Sequence, residues 1–308
     1  MYQLMHIFLL LCLMVCSVQA SLASSSWDYD TNPGGLMGIR SSSTSSTLLA
    51  TEPCGGEETY YLAVYHSNTY TSDVLFGAMA TFDVYGFPNL NNNGQISSGQ
   101  IWVANEQRRD LTDTNDVQAG WMISPYIYGD SKTHFFTMWT VDDGRSTGCY
   151  DLNCDGFVPV NNAPITPGDI LEPTNGKLSI TVKISKKKDD GDWWLHFGYD
   201  ENNLSPVGFW SKSVLTHLAD HANVIAWGGY AQSCPGNPSP SMGNGQWPEK
   251  NSASVRNIKY VDANGQDYDP APWPAGLVGE STNKKCYQVS PYLDGIFYYG
   301  GPGGCTAR

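Results

Sequence analysis

The feature that most constrains the fold is a strict two-residue alternation. Leu178, Ile180, Val182 and Ile184 alternate with Ser179, Thr181, Lys183 and Ser185. Successive side chains of a strand point to opposite faces, so this stretch reads as a strand with one buried face. A polar segment, 186–192, follows, and then Trp193, Leu195 and Phe197 alternate again. The pair predicts a hairpin of strands 178–185 and 193–198. Similar runs lie at 60–66, 75–85, 100–104, 118–124, 134–141, 207–210, 223–232, 255–262 and 296–299. The chain's 32 glycines and 18 prolines punctuate them, which suits short strands joined by turns. Only 213–221 has a helical pattern, with Ser213 at its start and Val214, Leu215 and Leu218 on one side. The expected fold class is therefore all-β, an antiparallel β-sandwich of two sheets with one short helix. No repeat of 20–50 residues is visible, which argues against a propeller or solenoid.

The chain begins with a secretory pattern. Ile7 to Val15 form an apolar stretch, and Val18-Gln19-Ala20 supplies short residues at the usual cleavage spacing. Residues 1–20 are read as a signal peptide, 21–58 as a mobile Ser/Thr/Gly-rich arm, and 59–305 as one folded domain. No later apolar run reaches the roughly 18 residues of a membrane span. The mature chain is expected to be extracellular and free of the membrane. A formal charge of −13 argues against a nucleic-acid partner, which needs a basic face. Two of the eight cysteines, Cys12 and Cys16, fall in the signal peptide. The remaining six, Cys54, Cys149, Cys154, Cys234, Cys286 and Cys305, suggest three disulfides, with 15 pairings open to spacing alone.

Several motifs imitate active sites. Gly144-Arg145-Ser146-Thr147-Gly148 matches the G-x-S-x-G elbow, but that elbow needs a strand before the serine and a helix after it. Here a loop between Cys149 and Cys154 follows at once. Asp151-x-Asn153-x-Asp155-Gly156 starts like a calcium loop, yet Asn162 stands where a bidentate Glu belongs, so a turn is the reading. His217 and His221 are spaced like zinc ligands, but Leu218 replaces the general-base Glu and a surface role is expected. Asn203-Leu204-Ser205 is a glycosylation sequon followed by Pro206. No Gly-rich loop suits a nucleotide, and neither metal nor cofactor is expected.

One family nevertheless comes into view. The chain resembles the neprosin family, secreted glutamic peptidases known chiefly from plants. The match runs in order through Gln100-Ile101-Trp102-Val103, Gln118-Ala119-Gly120-Trp121, Ser124-Pro125, Tyr128-Gly129-Asp130 and Thr147-Gly148-Cys149-Tyr150. It continues through Cys154-x-Gly156-Phe157, Trp193-Trp194-Leu195, Trp227-Gly228-Gly229 and Phe297-Tyr298-Tyr299-Gly300-Gly301-Pro302-Gly303. It covers about residues 58–305. The resemblance implies a β-sandwich, and cleavage of peptides next to proline at acid pH by a pair of glutamates. Such a pair works because two close carboxyls push their pKa values apart, leaving one ionised as base and one protonated as acid. It also implies the pairs Cys149–Cys154 and Cys286–Cys305, which leave Cys54–Cys234 by elimination.

Carried over residue by residue, the two glutamates fall at Gln118 and Tyr230. An amide cannot act as a base, and an unperturbed tyrosine titrates near ~10. General acid–base work contributes about 10²–10⁴-fold per group, so losing both should remove nearly all turnover. If the carry-over holds, Gln118 and Tyr230 should approach each other across one face. Asp116, Glu106 and Glu249 are the carboxylates near matched motifs that could stand in. The long activation domain common in the family is not expected in 21–58, which is too short for one. Three readings follow: an impaired relative whose cleft binds peptide or wall material, an active proline-directed endopeptidase using shifted carboxylates, and a structural extracellular protein.

Overall fold

The alternating stretch at 178–185 does pair with 193–198, residue by residue from Thr181 opposite Gly198 to Lys186 opposite Trp193. The computed structural model describes residues 54, 58–67, 74–86, 90, 94–107, 113–172, 178–271 and 276–306. The expected signal peptide, and nearly all of the expected arm, lie outside the described residues.

Sixteen strands are present among the described residues. In chain order they are β1 (Thr59–Ser67), β2 (Gly77–Val84), β3 (Ile96–Asn105), β4 (Asn115–Ile123), β5 (His134–Thr140), β6 (Cys149–Tyr150), β7 (Phe157–Pro159) and β8 (Leu178–Lys186). There follow β9 (Trp193–Gly198), β10 (Ser205–Trp210), β11 (Val224–Ser233), β12 (Ala253–Val261), β13 (Asp267–Tyr268), β14 (Leu277–Ser281), β15 (Gln288–Val289) and β16 (Ile296–Gly300). They form two antiparallel sheets. One runs β14-β1-β11-β3-β4-β5-β6; the other runs β15-β16-β12-β2-β8-β9-β10-β7, with β13 on β12. The longer strands match the alternating runs. Of the six strands of two to five residues, β16 falls on the run at 296–299, whereas β6, β7, β13, β14 and β15 leave no clear period in the sequence.

Alternation decides which side chains meet between the sheets. Trp121, Ile101, Val103, Trp227 and Ala231 from the first sheet pack in one buried cluster with Phe82, Ile180, Val182, Trp193, Leu195 and Tyr299 from the second. Gly99 sits at a tight point of this layer. A Cβ there would lie 2.4 Å from the Tyr299 hydroxyl and 2.6 Å from Trp121 Nε1. Gly99→Ala is therefore expected to cost about 2–3 kcal/mol in urea unfolding, because both rings are locked in the core. Gly86→Ala, whose nearest atom would be 4.0 Å away, should stay within about 0.5 kcal/mol. Equal losses at the two sites would refute the packing account.

The helix expectation needs correcting. Residues 213–221 form no α-helix, but two single 3-10 turns, Lys212–Val214 and His217–Ala219. The reason is tertiary. Asn115 Oδ1, from β4, accepts hydrogen bonds from the Thr216 amide and hydroxyl and from the Leu218 amide, and Trp193 Nε1 donates to the Leu218 carbonyl. Those groups would otherwise have closed helical turns. Among the described residues the α-helix lies instead at Pro125–Tyr128 (α1), with Ser124 capping Ile127 N and Gly129 in the left-handed region at its end. It is one turn long, below what periodicity can report.

The three disulfides join Cys54 to Cys234, Cys149 to Cys154 and Cys286 to Cys305. Among the described residues, no helix is long and apolar enough to cross a membrane.

Candidate functional site

Gln118 and Tyr230 lie in the same sheet, on β4 and β11, with β3 between them. Gln118 is opposite Trp102 of β3, and Tyr230 is opposite Ser98. Neighbours in each strand point into the core: Val117 and Ala119 flank Gln118, and Ala231 follows Tyr230. Both positions therefore occupy the sheet face turned away from the core. They stand four residues out of register across β3, however, and the Tyr230 hydroxyl bonds to Gln232 on the side away from Gln118, so the expected approach is not seen in the pairing.

A one-way hydrogen-bond row crosses that face. Ser98 Oγ donates to Gln100 Oε1 at 2.5 Å, Gln100 Nε2 donates to Gln118 Oε1 at 2.6 Å, and Gln118 Nε2 donates to Asp116 Oδ1 at 2.8 Å. Each residue in it is 0–1% exposed. Gln118 is thus tied at both ends of its amide. Tyr230 donates its hydroxyl to Gln232 Oε1 at 2.5 Å and stacks on Tyr60. Burial, with Tyr150, Tyr60 and Glu58 nearby, pushes its pKa well above the ordinary tyrosine value.

Acid groups surround the row. Burial pushes Asp116 up to about 8; Asp143 and Glu106 add repulsion, and the hydrogen bond from Gln118 only partly offsets this. Glu106 is raised to about 7 by burial, then by Asp143 and Glu280, and its Oε1 has no hydrogen-bond partner among the described residues. At acid pH both are neutral. Tyr150, on β6, is raised by burial and by Asp151, Asp116 and Glu58 together. Glu249 is exposed and outside this group.

A family model described as Neprosin matches residues 93–302, about two thirds of the chain. The chain belongs to the Neprosin family. Solved structures similar to it are distant. One is described as Scytalido-glutamic peptidase with a peptide based transition state analog; it is 11% identical, with 80% of this chain and 98% of that one covered, at a TM-score of 0.35. A functionally unknown protein from Saccharomyces cerevisiae is 12% identical, covering 56% and 70%, at 0.28. A Ruminococcus gnavus IT-sialidase CBM40 bound to alpha2,6 sialyllactose is 10% identical, covering 57% and 90%, at 0.27. Scores this low carry no statement about chemistry.

The Neprosin match leaves the other motifs with structural work. Asp142 folds the G-x-S-x-G segment into a tight turn, accepting from the amides of Arg145, Ser146 and Thr147 and from the hydroxyls of Ser146 and Thr147. Burial raises its pKa, but the Ser146 and Thr147 hydrogen bonds outweigh that and hold it below the usual range. Asp151, the first residue of the calcium-like stretch, accepts from Thr137 N at 2.8 Å and from the Tyr128 hydroxyl at 3.0 Å, so its oxygens brace α1 against β5. His221 pairs with the adjacent Asp220, and without an α-helix His217 and His221 no longer have the helical i,i+4 spacing of zinc ligands. No group of three or more metal-ligating side chains was found among the described residues.

Sequence reasoning missed Glu58, Gln100, Ser98 and Tyr150 as members of this face. Gln100 and Tyr150 both stood inside matched motifs, but the strand order β11-β3-β4-β5-β6 that gathers them is not written locally. Parity within each strand was the available signal, and it needed the strand order to become useful.

Proposed function

We propose that this protein is a secreted, catalytically impaired member of the Neprosin family that engages proline-containing peptide without cutting it. The observation that carries the reading is the state of the two dyad positions. Gln118 has no proton-accepting nitrogen or carboxylate, and its amide is bonded on both sides. Tyr230 keeps its proton far above neutral pH. Water activation at acid pH has no base at either place. Three disulfides are consistent with export to an oxidising compartment.

Purified protein is expected to leave proline-containing peptides intact at acid pH. The same peptides should bind, read as a shift in intrinsic tryptophan fluorescence. Gln118→Glu together with Tyr230→Glu should regain measurable cleavage, and neither change alone should. The gain is expected to be small, because Gln100 and Asp116 are arranged for an amide at position 118. Rapid cleavage by the unmodified protein would defeat the proposal.

One observation favours a second reading, an active peptidase with shifted carboxylates. After burial and Asp151, Asp116 and Glu58 both raise the Tyr150 pKa, so two further carboxyl groups lie within electrostatic reach of that hydroxyl. Should the unmodified protein cut peptides, Asp116→Asn and Glu58→Gln would each be expected to lower the rate by about 10²-fold or more.

A further inference from the structure

The tip joining β9 to β10 carries an asparagine that nothing in the fold employs. Strand β9 ends at Gly198 and β10 starts at Ser205. Between them Asn203 N donates to the Asp200 carbonyl at 3.1 Å and closes the turn. Its neighbour Asn202 is committed, because its side-chain amide donates to Asp200 Oδ1 at 3.1 Å. The Asn203 side chain is exposed and makes no hydrogen bond to any described residue. Leu204 turns the other way, half-buried, with its Cδ2 close over Gly198. Glu201 bonds to Asn257 of β12, which tethers one side of the tip to the sheet.

A second feature of the same tip lacks an explanation. Tyr199 is 63% exposed, and its ring meets Phe197 edge-on at 5.2 Å. An aromatic face left in water on the same tip as an exposed asparagine is a surface on which the apolar C–H side of a sugar ring can rest. We propose that Asn203 is an N-glycosylation site, within Asn203-Leu204-Ser205, whose first sugar packs toward Tyr199. The donor is a lipid diphosphate-linked oligosaccharide of the secretory route. The Asn203 amide nitrogen forms a bond to the sugar's anomeric carbon and the bond from that carbon to the diphosphate oxygen breaks. The lipid diphosphate leaves, and the amide gives one proton to the transferase. The site rests on the export part of the proposed function and is independent of the dyad.

Pro206 bears on the extent of modification. It restricts Ser205 to extended backbone, the conformation Ser205 has in β10. Partial occupancy is the expected result. The full chain would be expressed in a eukaryotic secretory host, recovered from the medium and digested with an amide-cleaving N-glycosidase. A mass loss of one N-glycan core is expected in part of the material, with aspartate appearing at the modified position. Asn203→Gln and Ser205→Ala should each abolish that loss, with the protein still recovered folded from the medium. Protein in the medium with no glycosidase-sensitive mass, or a loss that persists in Asn203→Gln, would overturn the site alone. A chain retained in the cell without sugar would overturn the site and the export reading together.

Discussion

Replacing Cys54 and Cys234 together with serine is expected to lower the unfolding free energy by about 5 kcal/mol, the largest effect of any single cross-link here. The bond closes a chain separation of 180 residues, against 19 for Cys286–Cys305 and 5 for Cys149–Cys154. In the chain-entropy picture the cost of removing a cross-link grows with the logarithm of the loop, giving about 5, 3 and 2 kcal/mol in turn. The long bond also sits where two neighbouring strands of one sheet end: Thr59 of β1 pairs with Ser233 of β11, next to Cys234. Removing it frees that end of the β1–β11 pair as well as the unfolded chain. Urea unfolding of the three paired serine variants would check the order. A smaller loss from the 54/234 pair than from the 149/154 pair would show that strain or residual structure, not loop closure, sets these energies.

Raising the pH from about 4 to about 8 should destabilise the folded chain by several kcal/mol. The sign follows from the buried acids. Asp116 and Glu106 have folded pKa values of about 8 and about 7, and Asp151 is raised to about 6, mainly by burial in each case. Unfolded carboxyls titrate near ~4. Between those values the folded state holds protons that the unfolded state has released. Stability is therefore greatest near pH 4 and falls as pH rises, by about 1.4 kcal/mol per pH unit for each such proton, levelling off above the folded values. Below pH 4 the opposite group takes over, since Asp142, held below the usual range, loses its hydrogen bonds as an anion. Asp116→Asn keeps an oxygen to accept from Gln118 Nε2 and removes the titration. Its midpoint in urea should vary less with pH, and it should exceed the unmodified protein at pH 8. An unmodified protein whose midpoint rises from pH 4 to pH 8 would contradict the burial of these acids.

How much of this was legible in the chain depends on the range of the interaction. Leu178 to Ile184 announced β8 and its hairpin because the period of a strand is local and the partner strand is a short turn away. Ser213 to His221 misled for the same reason: its local pattern is helical, and the Asn115 acceptor that breaks it comes from β4, far away in sequence. The family motifs placed Gln118 and Tyr230 as the positions to watch. Their surroundings were out of reach, because Ser98, Gln100 and Asp116 become neighbours of Gln118 only when β3 and β4 pair in one register.

The sequence by itself determined the strand periods, the two-sheet class, the family, and the absence of glutamate at the two positions to which the family resemblance points. Side-chain identity and alternation are local properties, and a missing carboxylate needs no fold to be missed. Tertiary structure alone decided that the Gln118 amide is saturated by Gln100 and Asp116. It also decided that Asp116 and Glu106 hold protons near neutral pH. A pKa and a hydrogen-bond partner are set by burial and by charges from other strands, and those are fixed only when the sheet order β11-β3-β4 brings distant segments onto one face.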